Sequence, residues 1–183
     1  MKNDLALAKE MFFYYGCSHF FMAHEGDYEK YKKFNISKEQ EIQWVSEFQN
    51  NLLKAINEGK EDNESVEMKV SSLCSTLRTF KNLDIAYQLM DALNNPRLKL
   101  DSFSKMVISE IILETVRSLN RDKNLSGNII LADMKKFALN MLKSVADNPI
   151  IVDPAYLNAG YLKDEVKESS IIDRIQGTLK EWS

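Results

Sequence analysis

The sequence predicts an all-α protein, and three observations carry that expectation. Only six Gly and three Pro occur among 183 residues, too few for the closely spaced turns of a sandwich or barrel. Leu, Met, Ala, Lys and Glu, which lose little on entering a helix, are abundant. Apolar residues recur at three- and four-residue spacing along most of the chain, between caps and Asn-Pro stops. Together these features describe a multi-helix bundle or a short right-handed, HEAT-like stack of antiparallel helical pairs, with about six to eight helices. The length fits a single helical domain over 1–183, with a possible sub-boundary in the acidic loop near 58–65.

The first helix is expected over 4–25. Its apolar residues do not keep to one stripe: Leu5, Phe12, Tyr15 and Met22 share one face, Met11, Tyr14 and Phe21 a second, and Phe13, Cys17 and Phe20 a third. A helix apolar on nearly all sides is central in its domain or shared with a partner. Gly16, Cys17 and Ser18 form a small-residue waist at which another helix can cross. Gly26 and Asp27 end the run, and residues 28–34 form a short amphipathic turn with Lys30, Lys32 and Lys33 in solvent. Ser37 and Gln40 have the form of a capping box for a second helix. Its core stripe is Val45, Phe48, Leu52 and Ile56, with Trp44 on its flank. Residues 58–67 are acidic and apolar-poor, as in a solvent loop.

Val66, Val70, Leu73, Leu77 and Phe80 line a third helix, and Ile85, Ala86, Leu89, Met90 and Leu93 a fourth, forming a hairpin. Asn94-Asn95-Pro96 stops it, because proline lacks an N–H and turns the preceding residue away from helix. Asp101 caps a fifth helix that runs to about Arg121 and is apolar on more than one side. Ile130, Met134, Phe137, Met141 and Val145 line a sixth, which ends at Asp147-Asn148-Pro149. Asp153-Pro154 has the form of an N-cap with proline at the first helical position, opening a short turn that Gly160 closes. Ile172, Ile175, Leu179 and Trp182 form one face of the last helix, with Trp182 tying down the C-terminus. Segments 92–101 and 145–153 resemble each other, each running from helix through Asn-Pro to a capping Asp. Their spacing exceeds a HEAT period, and Asn-Pro is a common helix stop.

Composition excludes several function classes. A net charge of −3 supplies no field for general binding to nucleic acid or an anionic membrane. Cys17 and Cys74 lie far apart, with no CxxC spacing, as expected of free buried thiols in a cytoplasmic protein. The apolar run over 11–23 is too short for a membrane span. Acidic Asp4 and Glu10 lie where a secretory leader would be basic.

Half of the aromatic residues, both histidines and one cysteine fall within 12–34, which makes this stretch the place to look for a site. His19 and His24 are five apart, leaving them about 140° apart on an ideal helix, so they do not form a helical metal pair. Cys17 and His24 share a face but are separated by about 10 Å, too far for a direct thiolate-imidazole pair. Phosphate-loop, dinucleotide, nucleophile-elbow and HExxH patterns are absent. Glu110 and Glu114, one turn apart on the fifth helix, read as its narrow solvent face. Tyr28, Tyr31 and Phe34, between lysines, read as an amphipathic turn with its rings inward.

The function expected from these features is a cytosolic protein-interaction or regulatory module with no recognisable catalytic motif, with a protein partner or a homodimer as its assembly. Tyr14, Phe13, Phe20 and Phe21 are the expected contact residues, since aromatics are enriched where surfaces bury together. The alternative is a helical-bundle enzyme or a small-ligand or metal-binding protein with a pocket beside the first helix. It would use His19, His24, Glu25, Asp27 and Tyr15. No cofactor is implied by any motif.

Overall fold

A computed structural model describes residues 2–183. The protein is all-α, with no strand among the described residues. Among the described residues ten α-helices occur in chain order: α1 Lys2–Tyr14, α2 His19–His24, α3 Tyr28–Lys32, α4 Lys38–Glu58, α5 Asn63–Phe80, α6 Asp84–Leu93, α7 Ser102–Asn120, α8 Ile129–Ala146, α9 Pro154–Asn158 and α10 Glu168–Trp182. A 3-10 turn, Gly160–Leu162, follows α9. The described chain forms two compact units, one reaching to Leu52 and the other Leu53–Ser183.

The expected first helix over 4–25 is two helices. At the end of α1 the Gly16 amide donates to the Phe13 carbonyl at 3.0 Å and the Cys17 amide to the Phe12 carbonyl at 2.8 Å. That pair of bonds is a Schellman motif, in which a left-handed residue turns the chain back over the helix's last carbonyls. Gly16 takes it at φ +59°, and Cys17 follows at +61°. Ser18 then caps α2, its hydroxyl accepting from the Phe21 amide. The same bonds recur ten residues later, from Gly26 to Ala23 at 3.1 Å and from Asp27 to Met22 at 2.9 Å, with Gly26 at φ +83°. The waist is therefore a helix stop, not a crossing point within one helix. Unbonded backbone at a stop costs more than continuing, so the motif must satisfy those carbonyls itself.

Helix α4 starts where expected, with the Gln40 amide bonded to the Ser37 hydroxyl at 3.2 Å. The reciprocal half of a capping box is replaced by a Gln40 side-chain bond to Gln43. Its buried face is Glu41, Trp44, Val45, Gln49, Leu53 and Ile56. Phe48 and Leu52, expected on the stripe, are only half-buried. Helix α5 starts at Asn63, capped by Asp62, so the acidic loop is shorter than the sequence suggests.

In the second unit α7 packs against α5, α8 and α10, and α6 packs against α5 and α8. Helix α7 buries Phe103, Met106, Ile108, Ile112, Leu113, Val116 and Leu119, more than one face's worth. The stripes of α5 and α6 are buried as expected, apart from half-buried Phe80. On α8 the buried residues are Leu131, Met134, Ala138, Leu142 and Val145, while Ile130, Phe137 and Met141 lie at the margin. The apolar residues of α8 span more than half its circumference, and neighbouring helices decide which part goes inward. On α10 it is Ile171 and Ile175 that are buried, with Ile172 and Leu179 half-buried. Helix α9 is capped by Asp153 with Pro154 at its first position, but Ala159 ends it and Gly160 opens the 3-10 turn. Trp182 lies under two cations, Arg117 at 4.9 Å and Lys135 at 5.6 Å from its ring centre.

The similar segments over 92–101 and 145–153 meet. Ser102 donates its amide to the Ile151 carbonyl at 2.7 Å, and its hydroxyl accepts from the Ile151 amide at 2.9 Å. The Asp153 amide donates to Asp101 Oδ2 at 2.6 Å.

Candidate functional site

The two Schellman turns fold the region over 12–34 into a compact aromatic and polar cluster within the first unit. Phe12 is its centre. Its ring stacks on Tyr31 at 6.2 Å and meets His19, Trp44 and Phe13 at 6.1, 6.0 and 5.7 Å. Offset and edge-on ring contacts of this kind add to the stabilisation from burial alone.

A polar arrangement lies against these rings. Glu41, buried on the first turn of α4, presents Oε1 to the Tyr31 hydroxyl at 2.7 Å and to His19 Nε2 at 2.8 Å. A carboxylate only accepts, so Tyr31 donates its O–H and His19 its Nε2–H. Burial, then the bond to Glu41, raises the Tyr31 phenol well above its usual range. Cys17 is buried nearby, and burial together with the Glu41 charge pushes its thiol up to about 12. A thiol held in that form is a poor nucleophile, because the thiolate is the reactive species.

A second bond joins the ends of the two turns. The Tyr15 hydroxyl donates to Asp27 Oδ2 at 2.5 Å, and that bond, with desolvation, pushes the phenol up to about 12. Tyr15 is the residue at which α1 gives way to its stop, and Asp27 follows the stop of α2. The repeated backbone motif brings these two side chains together.

The expected site residues are therefore divided. Tyr15 and Asp27 bond to each other, while His19 bonds to Glu41. His24, at the other end of α2, is largely exposed, with Nδ1 3.1 Å from Glu25. Phe13 is half-buried with its ring 5.1 Å from Phe48, whereas Tyr14, Phe20 and Phe21 are 81, 73 and 57% exposed. The sequence marks Tyr31 only as an inward-packing ring and does not mark Glu41 as a site residue. Glu41 did carry a signal, since it lies at the spacing of Val45, Phe48 and Leu52 and so puts a charge on an apolar stripe. Among the described residues, no group of three or more His, Cys, Asp or Glu is placed to hold a metal ion.

The second unit contains a polar joint of its own. Asp101 caps α7 through the Ser104 amide at 2.7 Å, and its own amide donates to Asn63 Oδ1 at 3.2 Å. Asn63 Nδ2 in turn donates to Asp153 Oδ2 at 2.9 Å. Beside it the Tyr156 hydroxyl donates to Glu67 Oε1 at 2.7 Å and lies 3.3 Å from the Ser104 hydroxyl. Desolvation raises the Glu67 carboxyl above its ordinary value. Its members are bonded to one another, which suits a joint between helix starts better than a ligand site.

Glu110 and Glu114 are also committed. Glu110 makes a two-pronged pair with Arg174, and Glu114 pairs with Arg117. No described helix is long and apolar enough to cross a membrane. Compared with models of known families, with curated proteins and with solved structures, the chain matches none.

Proposed function

We propose that the chain is a cytosolic, all-helical protein-interaction module that pairs with a second copy of itself through the aromatic edge around α2. The observation that carries this reading is the exposure of Phe20 and Phe21, 73 and 57%, on a six-residue helix. Their rings lie edge-on at 5.7 Å. Covering one large aromatic side chain is worth roughly 1.5–3 kcal/mol, so two adjacent exposed rings reward association. Helix α2 is pinned at both ends by hydrogen-bonded turns, and its position is held further by the bonds of Tyr15 to Asp27 and His19 to Glu41. Preorganisation of this kind lowers the ordering cost of binding. Edge-on aromatic pairs can also meet their symmetry mates, as a two-fold interface requires. The free, buried Cys17 and Cys74 suit a reducing compartment.

The competing reading is a helical-bundle enzyme or small-ligand protein that uses His19, His24, Glu25, Asp27 and Tyr15. In its favour is the His19 ring, 43% exposed and oriented by a buried carboxylate. Against it, the other polar groups of the cluster are spent on each other.

Light scattering with sedimentation velocity from about 1 to 100 µM tests the assembly. The expected result is a dimer at the upper concentrations that the Phe20→Ser/Phe21→Ser variant abolishes without loss of helical circular dichroism. A wild-type monomer throughout, or a dimer indifferent to both substitutions, would overturn the second-copy reading.

A further inference from the structure

A second surface of the first unit has a different chemistry. The start of α1, the end of α3 and the turn after it enclose a surface groove of about 540 Å³, lined by Asp4, Leu5, Lys30, Lys33, Phe34 and Ile36. Leu5 is 45% exposed, although it lies on a helix whose other face is buried. The three lysines of this segment differ in their commitments. Lys32 pairs with Glu29 at 2.5 Å and lies over the Tyr28 ring at 5.1 Å. The side-chain ammonium groups of Lys30 and Lys33, which line the groove, have no hydrogen-bond or ion-pair partner among the described residues. The lining also carries one carboxylate, Asp4, so in a chain of net charge −3 its two cations leave the groove net positive beside three apolar side chains.

We infer that this groove docks an acidic amphipathic helix of a partner protein. Leu5, Phe34 and Ile36 would take its apolar stripe, and Lys30 and Lys33 would meet carboxylates along the stripe's border. Apolar anchors supply affinity in helix-in-groove recognition, while bordering charges set orientation and on-rate. Lys30 and Lys33 are three apart, the spacing at which neighbouring carboxylates recur on an approaching helix. The inference does not depend on the aromatic edge, since neither Phe20 nor Phe21 lines the groove.

The test is a nuclear magnetic resonance titration of the full chain with a synthetic peptide of about 16 residues, long enough to be helical, carrying a Leu stripe bordered by Glu. Its control is the same peptide with Lys in place of Glu. Shifts confined to the amides around Leu5 and residues 30–36 are expected with the acidic peptide, and binding should weaken as salt rises. Lys30→Glu/Lys33→Glu should reduce affinity about tenfold or more. Ile36→Ser should weaken it at unchanged charge, while Phe20→Ser/Phe21→Ser should leave it intact. All three variants alter exposed or marginal side chains, and thermal melts verify their folding. No binding, equal binding of both peptides, or indifference to the lysine reversals would overturn the inference. So would tighter binding of a short DNA duplex to the same lysines, which would make the groove a phosphate-binding surface.

Discussion

At Glu41 a single buried carboxylate oxygen accepts from both Tyr31 and His19, whereas at Glu67 one phenol from Tyr156 faces a carboxyl that burial has partly desolvated. For Glu67 burial outweighs hydrogen bonding, and its folded value lies above the ordinary 4.5. A carboxyl raised on folding holds its proton more tightly in the native state. Its contribution to stability is then full below the ordinary value and is lost as pH rises through the raised one. Glu67→Gln keeps an acceptor for Tyr156 and removes the charge. Urea melts across pH should show the variant gaining on the wild type as pH climbs through that window, then holding a constant advantage above it. A difference that is flat with pH would place the effect in packing. The site is only partly legible at this scale: the residue types of Tyr15, His19 and Asp27 mark them as candidates, but the spacing of Tyr31 marks it only as a packing ring. Its hydroxyl acquires a role only from Glu41, ten residues away on another helix.

Local rules explain the starts and stops of the elements better than their faces. Asp62, Asp101, Asn128 and Asp153 each cap a helix with a side-chain oxygen, as their positions before apolar stripes imply. The two Schellman turns at Gly16 and Gly26 belong to the same grammar. A Gly followed two residues later by Ser was visible at 16–18, but the unbroken apolar run on either side argued for one helix. The caps differ in cost. Asp62 is exposed and serves only its own helix, so Asp62→Ala should destabilise by about 1 kcal/mol. Asp101 is buried and also accepts from the Asp153 amide. Asp101→Ala should cost about 2–3 kcal/mol in urea denaturation, because it leaves a second, partly buried N–H without its acceptor. Equal losses would mean that the bond between the two Asn-Pro segments contributes nothing.

Across the second unit the core is organised by α7, which has neighbours in α5, α8 and α10. Ile111 and Ile112 are adjacent and chemically identical, yet Ile112 is 1% exposed while Ile111 is half-buried. Ile112→Ala should cost about 2–5 kcal/mol and Ile111→Ala clearly less, because only the first leaves a cavity that water cannot enter. Matching losses in urea denaturation would show α7 turned differently from its described orientation. The sequence by itself determined the all-α class, most helix boundaries and the caps at Ser37, Asp101 and Asp153, since these follow from propensity, periodicity and backbone hydrogen bonds within a few residues. Only the tertiary structure decided which part of each broad apolar face turns inward on α4, α8 and α10. It alone joined Glu41 to Tyr31 and Asp101 to Asp153, and left Phe20 and Phe21 in water. Those outcomes depend on contacts between distant segments, and burial is a property of the neighbours a residue acquires as well as of the residue itself.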